Sequence, residues 1–177
     1  MNNYKILLIG CSGSGKSTLT KKLGDILNLP TLHLDRIWHA TNYSDEAKQF
    51  LRQTQLDFIA KNDQFIIDGN YTGTMDCRIP HANLIIWFRI PRYVSMYRVI
   101  TRSIKGKLNL ENRTDMAEEF TEKLDREYVE FLKFVWNFEK NSTPRIKAML
   151  EKKNSDCQLV IIKNKNDKEQ LLKELIG

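Results

Sequence analysis

Gly10-Cys11-Ser12-Gly13-Ser14-Gly15-Lys16-Ser17-Thr18 is the stretch on which the rest of the chain depends. Its pattern, Gly, four residues, then Gly-Lys-Ser/Thr, is that of a phosphate-binding loop. Such a loop must curl with its N–H groups pointing inward, so Gly10, Ser12, Gly13, Ser14 and Gly15 supply backbone rather than bulk. Lys16 would reach the β- and γ-phosphates of a nucleotide, and the Ser17 hydroxyl would ligate Mg²⁺. A helix beginning near Lys16 and passing through Thr18 would add its free N–H groups and the positive end of its dipole. The flanks agree. Tyr4-Lys5-Ile6-Leu7-Leu8-Ile9 is a short apolar run that reads as a buried parallel strand, and Leu19, Leu23, Ile26 and Leu27 recur at helical spacing. A chance glycine-rich turn is the competing reading, and strand and helix on either side outweigh it.

Outward from the loop, the bulk properties narrow the class. The 177 residues suit one domain with a real core; 41% are hydrophobic and 28% charged, as in an ordinary soluble protein. Ile6–Ile9 is too short for a signal peptide, and no apolar run approaches the roughly 20 residues of a membrane span. Cys11, Cys77 and Cys157 are odd in number and lack zinc-ligand spacing, which points to a reduced, cytoplasmic setting. The segment from Arg89 to Arg113 holds seven basic residues against Glu111 and so carries the whole net charge of +6. Charge this local suggests a phosphate-facing element more than a surface that coats nucleic acid.

Taken in order, the sequence predicts a first helix over 16–28, stopped at Leu29-Pro30. A short strand over 31–34 ends at Asp35. A helix follows with Ser44 as its N-cap and Phe50, Leu51, Leu56, Phe58 and Ile59 on one face. Strand 64–67 runs into Asp68-Gly69-Asn70-Tyr71, and strand 83–88 precedes a helix with Pro91 in its first turn. Residues 106–114 read as a mobile connection, and 115–139 as a long amphipathic helix. Pro144 would open a separate helix, followed by a strand over 158–162 and a closing helix over 168–176. Five strands alternating with helices predict a three-layer α/β fold, a parallel sheet in order 2-3-1-4-5, and a single domain over 1–177.

Several blocks together carry a resemblance. The loop, His33-Leu34-Asp35 with Trp38, Ile67-Asp68-Gly69-Asn70-Tyr71, Arg78-Ile79-Pro80, and Pro91-Arg92 followed by Arg98 and Arg102 resemble the adenylate-kinase-like P-loop proteins known as DNA topology modulation (FlaR-related) proteins. The resemblance spans nearly the whole chain. It implies a nucleoside- or nucleotide-kinase-like P-loop NTPase fold with a short lid (about 103–115), ATP and Mg²⁺ as cofactors, and a cytoplasmic bacterial protein. It also implies a substrate-side acid at Asp35 and arginines, here Arg98 and Arg102, that clamp the transferring phosphoryl group. One departure stands out: such kinases often close the fourth strand with an aspartate, and here Arg89 occupies that place.

The candidate roles follow. Lys16, Asp35, Arg98 and Arg102 are the catalytic set, with Arg92 and Arg113 as weaker candidates. Arg98 and Arg102, four apart, share a helix face. Asp35, Asp68, Gly69, Asn70, Tyr71 and Arg78 are the substrate set, placed at strand ends beside the loop, where parallel sheets bind ligands. Asp35 and Asp68 are also the acids left to assist Ser17 with the metal. Against these stand plainer readings: an N-cap for Asp35, a turn for 68–70, a surface ion pair for Arg78. Trp38 and Tyr71 are either core or a stacking surface for the acceptor. Asn164-Lys165-Asn166-Asp167 matches a guanine-reading pattern, but no Asp-x-x-Gly switch accompanies it, and it reads as a base-side loop. Phosphoryl transfer from ATP to a small acceptor is the expected activity of a monomer or homodimer with no membrane partner. A nucleic-acid-binding regulator is the alternative.

Overall fold

The computed structural model describes residues 3–107 and 126–176. Expectations that fall on 108–125, namely most of the lid, Arg113 and the first part of the long helix, lie outside the described residues. The elements are β1 (Lys5–Gly10), α1 (Lys16–Leu27), β2 (Thr31–His33), α2 (Leu34–Trp38), α3 (Asp45–Lys61), β3 (Phe65–Asp68), β4 (Leu84–Phe88), α4 (Arg92–Lys107), α5 (Arg126–Leu150), β5 (Gln158–Ile162) and α6 (Lys165–Ile176). Two 3₁₀ turns, Thr72–Cys77 and Ile79–His81, lead from β3 to β4.

All strand pairs are parallel, in the order β2-β3-β1-β4-β5. β1 lies at the centre, paired with β3 on one side and β4 on the other, so Leu8 faces Asp68 and Ile86. The chain leaves β1 toward β2 on one side, and the connection from β3 passes β1 to reach β4 on the other. The gap they open at its C-terminal end is where a parallel sheet receives a ligand, and the glycine loop sits there. The strands read as continuous apolar runs because helices cover both faces. Leu7, Ile9, Ile67, Ile85 and Trp87 pack on the α3 and α5 side with Leu51, Val135 and Ile146. Ile6, Leu8, Ile66 and Ile86 pack on the α1 and α6 side with Leu19, Leu23, Leu171 and Leu172.

Ser44 caps α3 as its sequence predicts, its hydroxyl accepting from the Ala47 amide at 3.3 Å. Several boundaries differ from expectation, and α6 begins at Lys165 rather than 168. β2 ends at His33, and Leu34 and Asp35 open the short helix α2. α4 runs on to Lys107, so 106 and 107 are helical rather than part of the connection expected over 106–114. α5 is one helix with Pro144 inside it, not two helices divided there. Proline removes the bond to the carbonyl four residues back, a cost of about 3 kcal/mol. Anchors on both sides offset it: Val135 and Phe138 before, Ile146 and Leu150 after, all buried. Among the described residues no helix is long and apolar enough to cross a membrane.

Candidate active site

The loop is closed by the helix that follows it and by a helix from across the sheet. Gly15 caps α1 in the left-handed region with no side chain over the helix end, so the first-turn N–H groups are open to an anion. Gly13 has φ +73°, and a Cβ there would lie 2.5 Å from the Ser95 carbonyl oxygen of α4. Only glycine lets α4 come this close. Lys16 Nζ donates to the Cys11 carbonyl at 3.0 Å and is almost enclosed. The ammonium is thus held inside the loop, and the buried Ser14 hydroxyl has no partner. Ser12, Ser17 and Thr18 take their places in the same loop and first turn.

Arg98 reaches the loop from α4, its Nη1 donating to the carbonyls of Gly13 (3.4 Å) and Ser14 (3.2 Å). Arg102 follows one turn later on the same face of α4. The other basic residues at the head of this segment are engaged away from the loop. Arg92 lies over the Trp136 ring, and Arg89 bonds Glu139 Oε1 at 2.5 Å while lying over Trp87. The arginine that replaces the expected aspartate therefore faces α5.

Asp68 closes β3 on the same side of the sheet as Ile66, the side covered by α1. Its Oδ2 lies 3.3 Å from His33 Nδ1, and its Oδ1 is buried with no partner. A carboxylate at the end of an apolar strand beside the loop's own strand is the arrangement that assists a Walker-type Ser with Mg²⁺. The run Phe65-Ile66-Ile67-Asp68 carries this pattern in the sequence. Among the described residues no three His, Cys, Asp or Glu side chains cluster to hold an ion by themselves. Ser17, Asp68 and bound phosphates would have to share it, as is usual for Mg²⁺.

Gly69, at φ +144°, lies against Leu34, whose Cβ a side chain at 69 would meet at 2.8 Å. Asn70 turns back to the loop, its Oδ1 accepting from the Gly10 amide at 3.3 Å. Tyr71 swings the other way, and its hydroxyl donates to Asp35 Oδ1 at 2.7 Å. Burial and the Asp35 carboxylate push the Tyr71 phenol well above its ordinary range, so it stays a donor. Trp38 leans on Tyr71 and on Tyr43, with ring centroids 5.8 and 5.5 Å apart.

Arg78 corrects both of its expected roles. It is neither a surface ion pair nor an open acceptor ligand, because it is fully buried. Its Nη1 donates to Gln55 Oε1 at 2.7 Å and its Nη2 to the Gly69 carbonyl at 3.0 Å. Burial pushes its pKa down to about 10. It is the strut beneath the 69–74 turn, a role that needs the tertiary position of Gln55, 23 residues away. Residues 165–167, expected in a loop, form the first turn of α6; there the Asn164 side chain accepts from the Asp167 amide and Asp167 accepts from the Lys163 amide. This resembles a capping box for α6 and accounts for both residues without a guanine.

No protein-family model and no curated protein matches the chain. Solved structures do. Shikimate kinase from Bacteroides thetaiotaomicron aligns with a TM-score of 0.53 at 17% identity, covering 98% of each chain. Shikimate kinase from Acinetobacter baumannii, in complex with shikimate, gives 0.56 at 13%, covering 97% of this chain and 89% of that one. An uncharacterized protein from Eubacterium ventriosum gives 0.53 at 16%, covering 99% and 97%. At such identities the likeness establishes the fold, the three-layer α/β architecture of P-loop kinases.

Proposed function

We propose that the chain is an ATP-dependent phosphotransferase acting on a small hydroxyl-bearing acceptor in the cytoplasm. The observation that carries this is the convergence at the end of β1. Lys16 Nζ and Arg98 Nη1 both bond carbonyls of the loop, so two cations and the uncapped first turn of α1 meet at one loop. When bound, Mg²⁺-ATP supplies the phosphoryl group to be moved. Lys16 and the amides of residues 13–18 would hold its phosphates, and Ser17 with Asp68 would hold the metal. Asp35 would accept a hydrogen bond from the acceptor hydroxyl, orienting its oxygen and receiving its proton as transfer proceeds. Arg98, which bonds the Gly13 and Ser14 carbonyls, would turn to the transferring phosphoryl group, with Arg102 one turn along the same helix to support it. Catalysis of this kind is positioning and electrostatics, with little covalent chemistry asked of the protein.

The test is ATP consumption by purified protein with Mg²⁺ across a panel of nucleosides, nucleotides, shikimate and other hydroxylic metabolites, beside Lys16→Ala. One acceptor should stimulate consumption, and Lys16→Ala should lower that rate at least 100-fold, the order expected for loss of a charge placed at the transition state. Transfer that survives Lys16→Ala would overturn the assignment.

A further inference from the structure

The acceptor side is described by what its charged groups are doing. Asp35 is the acid there, and its Oδ1 accepts from Tyr71. Arg78, Arg52, Lys48 and Arg36, on the neighbouring elements, are enclosed, paired or turned away, and Arg78 keeps a buried Nε without a hydrogen-bond partner. Arg78 is enclosed beneath the 69–74 turn, bonded to Gln55 and the Gly69 carbonyl. Arg52 pairs with Asp76 at 2.8 Å, and Lys48 pairs with Asp45. Arg36 is exposed, and as the neighbour of Asp35 on α2 it projects from a different side of that helix. Arg92, Arg98 and Arg102 belong to α4, on the phosphoryl side. So among the described residues no guanidinium or ammonium pairs with Asp35, whose carboxylate is bonded by Tyr71. An anionic acceptor would meet a carboxylate there with no fork to neutralise it, an arrangement that costs binding rather than adding it.

What the place offers instead is rings. Trp38 sits between Tyr71 and Tyr43, tilted by 58° and 60° to them. Tyr43 is 51% exposed and has φ +62°, a conformation unusual for a bulky residue. The His39 ring reaches its hydroxyl at 3.1 Å. Strain held at a ring beside a candidate catalytic acid is the kind a structure keeps for binding. An exposed ring at Tyr43, backed by the half-buried Trp38 and Tyr71 next to a hydrogen-bond acceptor, suits a flat molecule that donates O–H groups.

We propose that the acceptor is an uncharged, hydroxyl-bearing molecule with a planar ring, of the nucleoside type, held by stacking on the Trp38–Tyr43 cluster with its reacting hydroxyl on Asp35. This rests on the phosphotransferase reading, and Asp35 and Trp38 are then the residues that set specificity. Transfer forms the bond from the hydroxyl oxygen to the γ-phosphorus and breaks the bond to the β-phosphate bridge. The hydroxyl proton goes to Asp35, and ADP leaves with the bridging oxygen.

Equilibrium binding to the full chain, read by calorimetry, tests this with nucleosides, their 5′-monophosphates and a ring hydroxy acid, beside transfer assays on the same set. A nucleoside should bind at least tenfold more tightly than its monophosphate, and Trp38→Ala should weaken that nucleoside at least tenfold. Monophosphates or hydroxy acids that bind as well or better overturn the proposal, as does an unchanged affinity in Trp38→Ala. The contrast between nucleoside and monophosphate is read on the native protein and needs no variant to fold; Trp38→Phe serves if Trp38→Ala does not. Transfer to an anionic acceptor would sink this inference and leave the phosphotransferase standing. Nucleoside binding at Trp38 with no transfer to anything would keep the ring site and sink the phosphotransferase.

Discussion

Arg78 shows how a residue can be right in place and wrong in role. Its sequence context, close after Asp68-Gly69-Asn70-Tyr71, suggested an acceptor ligand. The structure makes it an internal strut whose guanidinium satisfies Gln55, Thr74 and the Gly69 carbonyl. Removing such a group leaves several buried acceptors unpaired, each costing about 1–3 kcal/mol. Arg78→Ala should therefore destabilise the protein by about 3 kcal/mol or more, seen as a lower urea midpoint. If only acceptor affinity fell and the midpoint held, the strut assignment would be wrong. Side-chain identity was legible for the loop because its pattern is local. The partners of Arg78 were not, because Gln55 lies on α3 and nothing in the sequence sets that helix against the turn.

At the scale of elements, most of the order of helices and strands was written in apolar periodicity and in Gly, Pro and Ser punctuation. All five strands follow from it, and the sheet order expected of a parallel α/β fold is the one found. The failures are places where packing overrode a local signal. Pro144 is the plainest: the rule that proline ends a helix lost to buried anchors on both sides of it. The missing N–H is still missing. Pro144→Ala should restore a donor to the Lys140 carbonyl and raise stability by about 1 kcal/mol, the gain reduced by the freer unfolded chain. Thermal unfolding checks it, and a lower Tm would show that the proline sets a bend that the core needs. The start of α2 is a second case. Leu34 is drawn into helix by burial against Gly69, and that carries Asp35 round toward Tyr71.

For the molecule as a whole, the three cysteines behave alike despite their separate places. All are buried free thiols, and desolvation raises each above the ordinary value, Cys11 to about 11. The unfolded chain releases these protons near pH 9 and the folded chain holds them longer. Above pH 9 the unfolded state therefore binds fewer protons and gains, so stability falls between about 9 and 11 and is flat below. Urea midpoints at pH 7.5 and 10 should show that loss, and Cys11→Ala should show less of it. An equal loss in the variant would remove Cys11 from the account. Inertness of this kind also explains how a thiol can stand inside a phosphate-binding loop without being its chemistry.

Gly13 bears on Ser95, and Arg98 grips the same loop from one turn further along α4. In mechanical terms α4 is a beam clamped near one end. Its 16 residues make a rod about 24 Å long. A tilt of about 10° at the clamp displaces the far end, about 14–18 Å away, by about 3 Å, while the loop itself moves a small fraction of that. The grip converts a slight settling of the loop into a large sweep of the helix tip, and a push at the tip reaches the loop reduced in travel and multiplied in force.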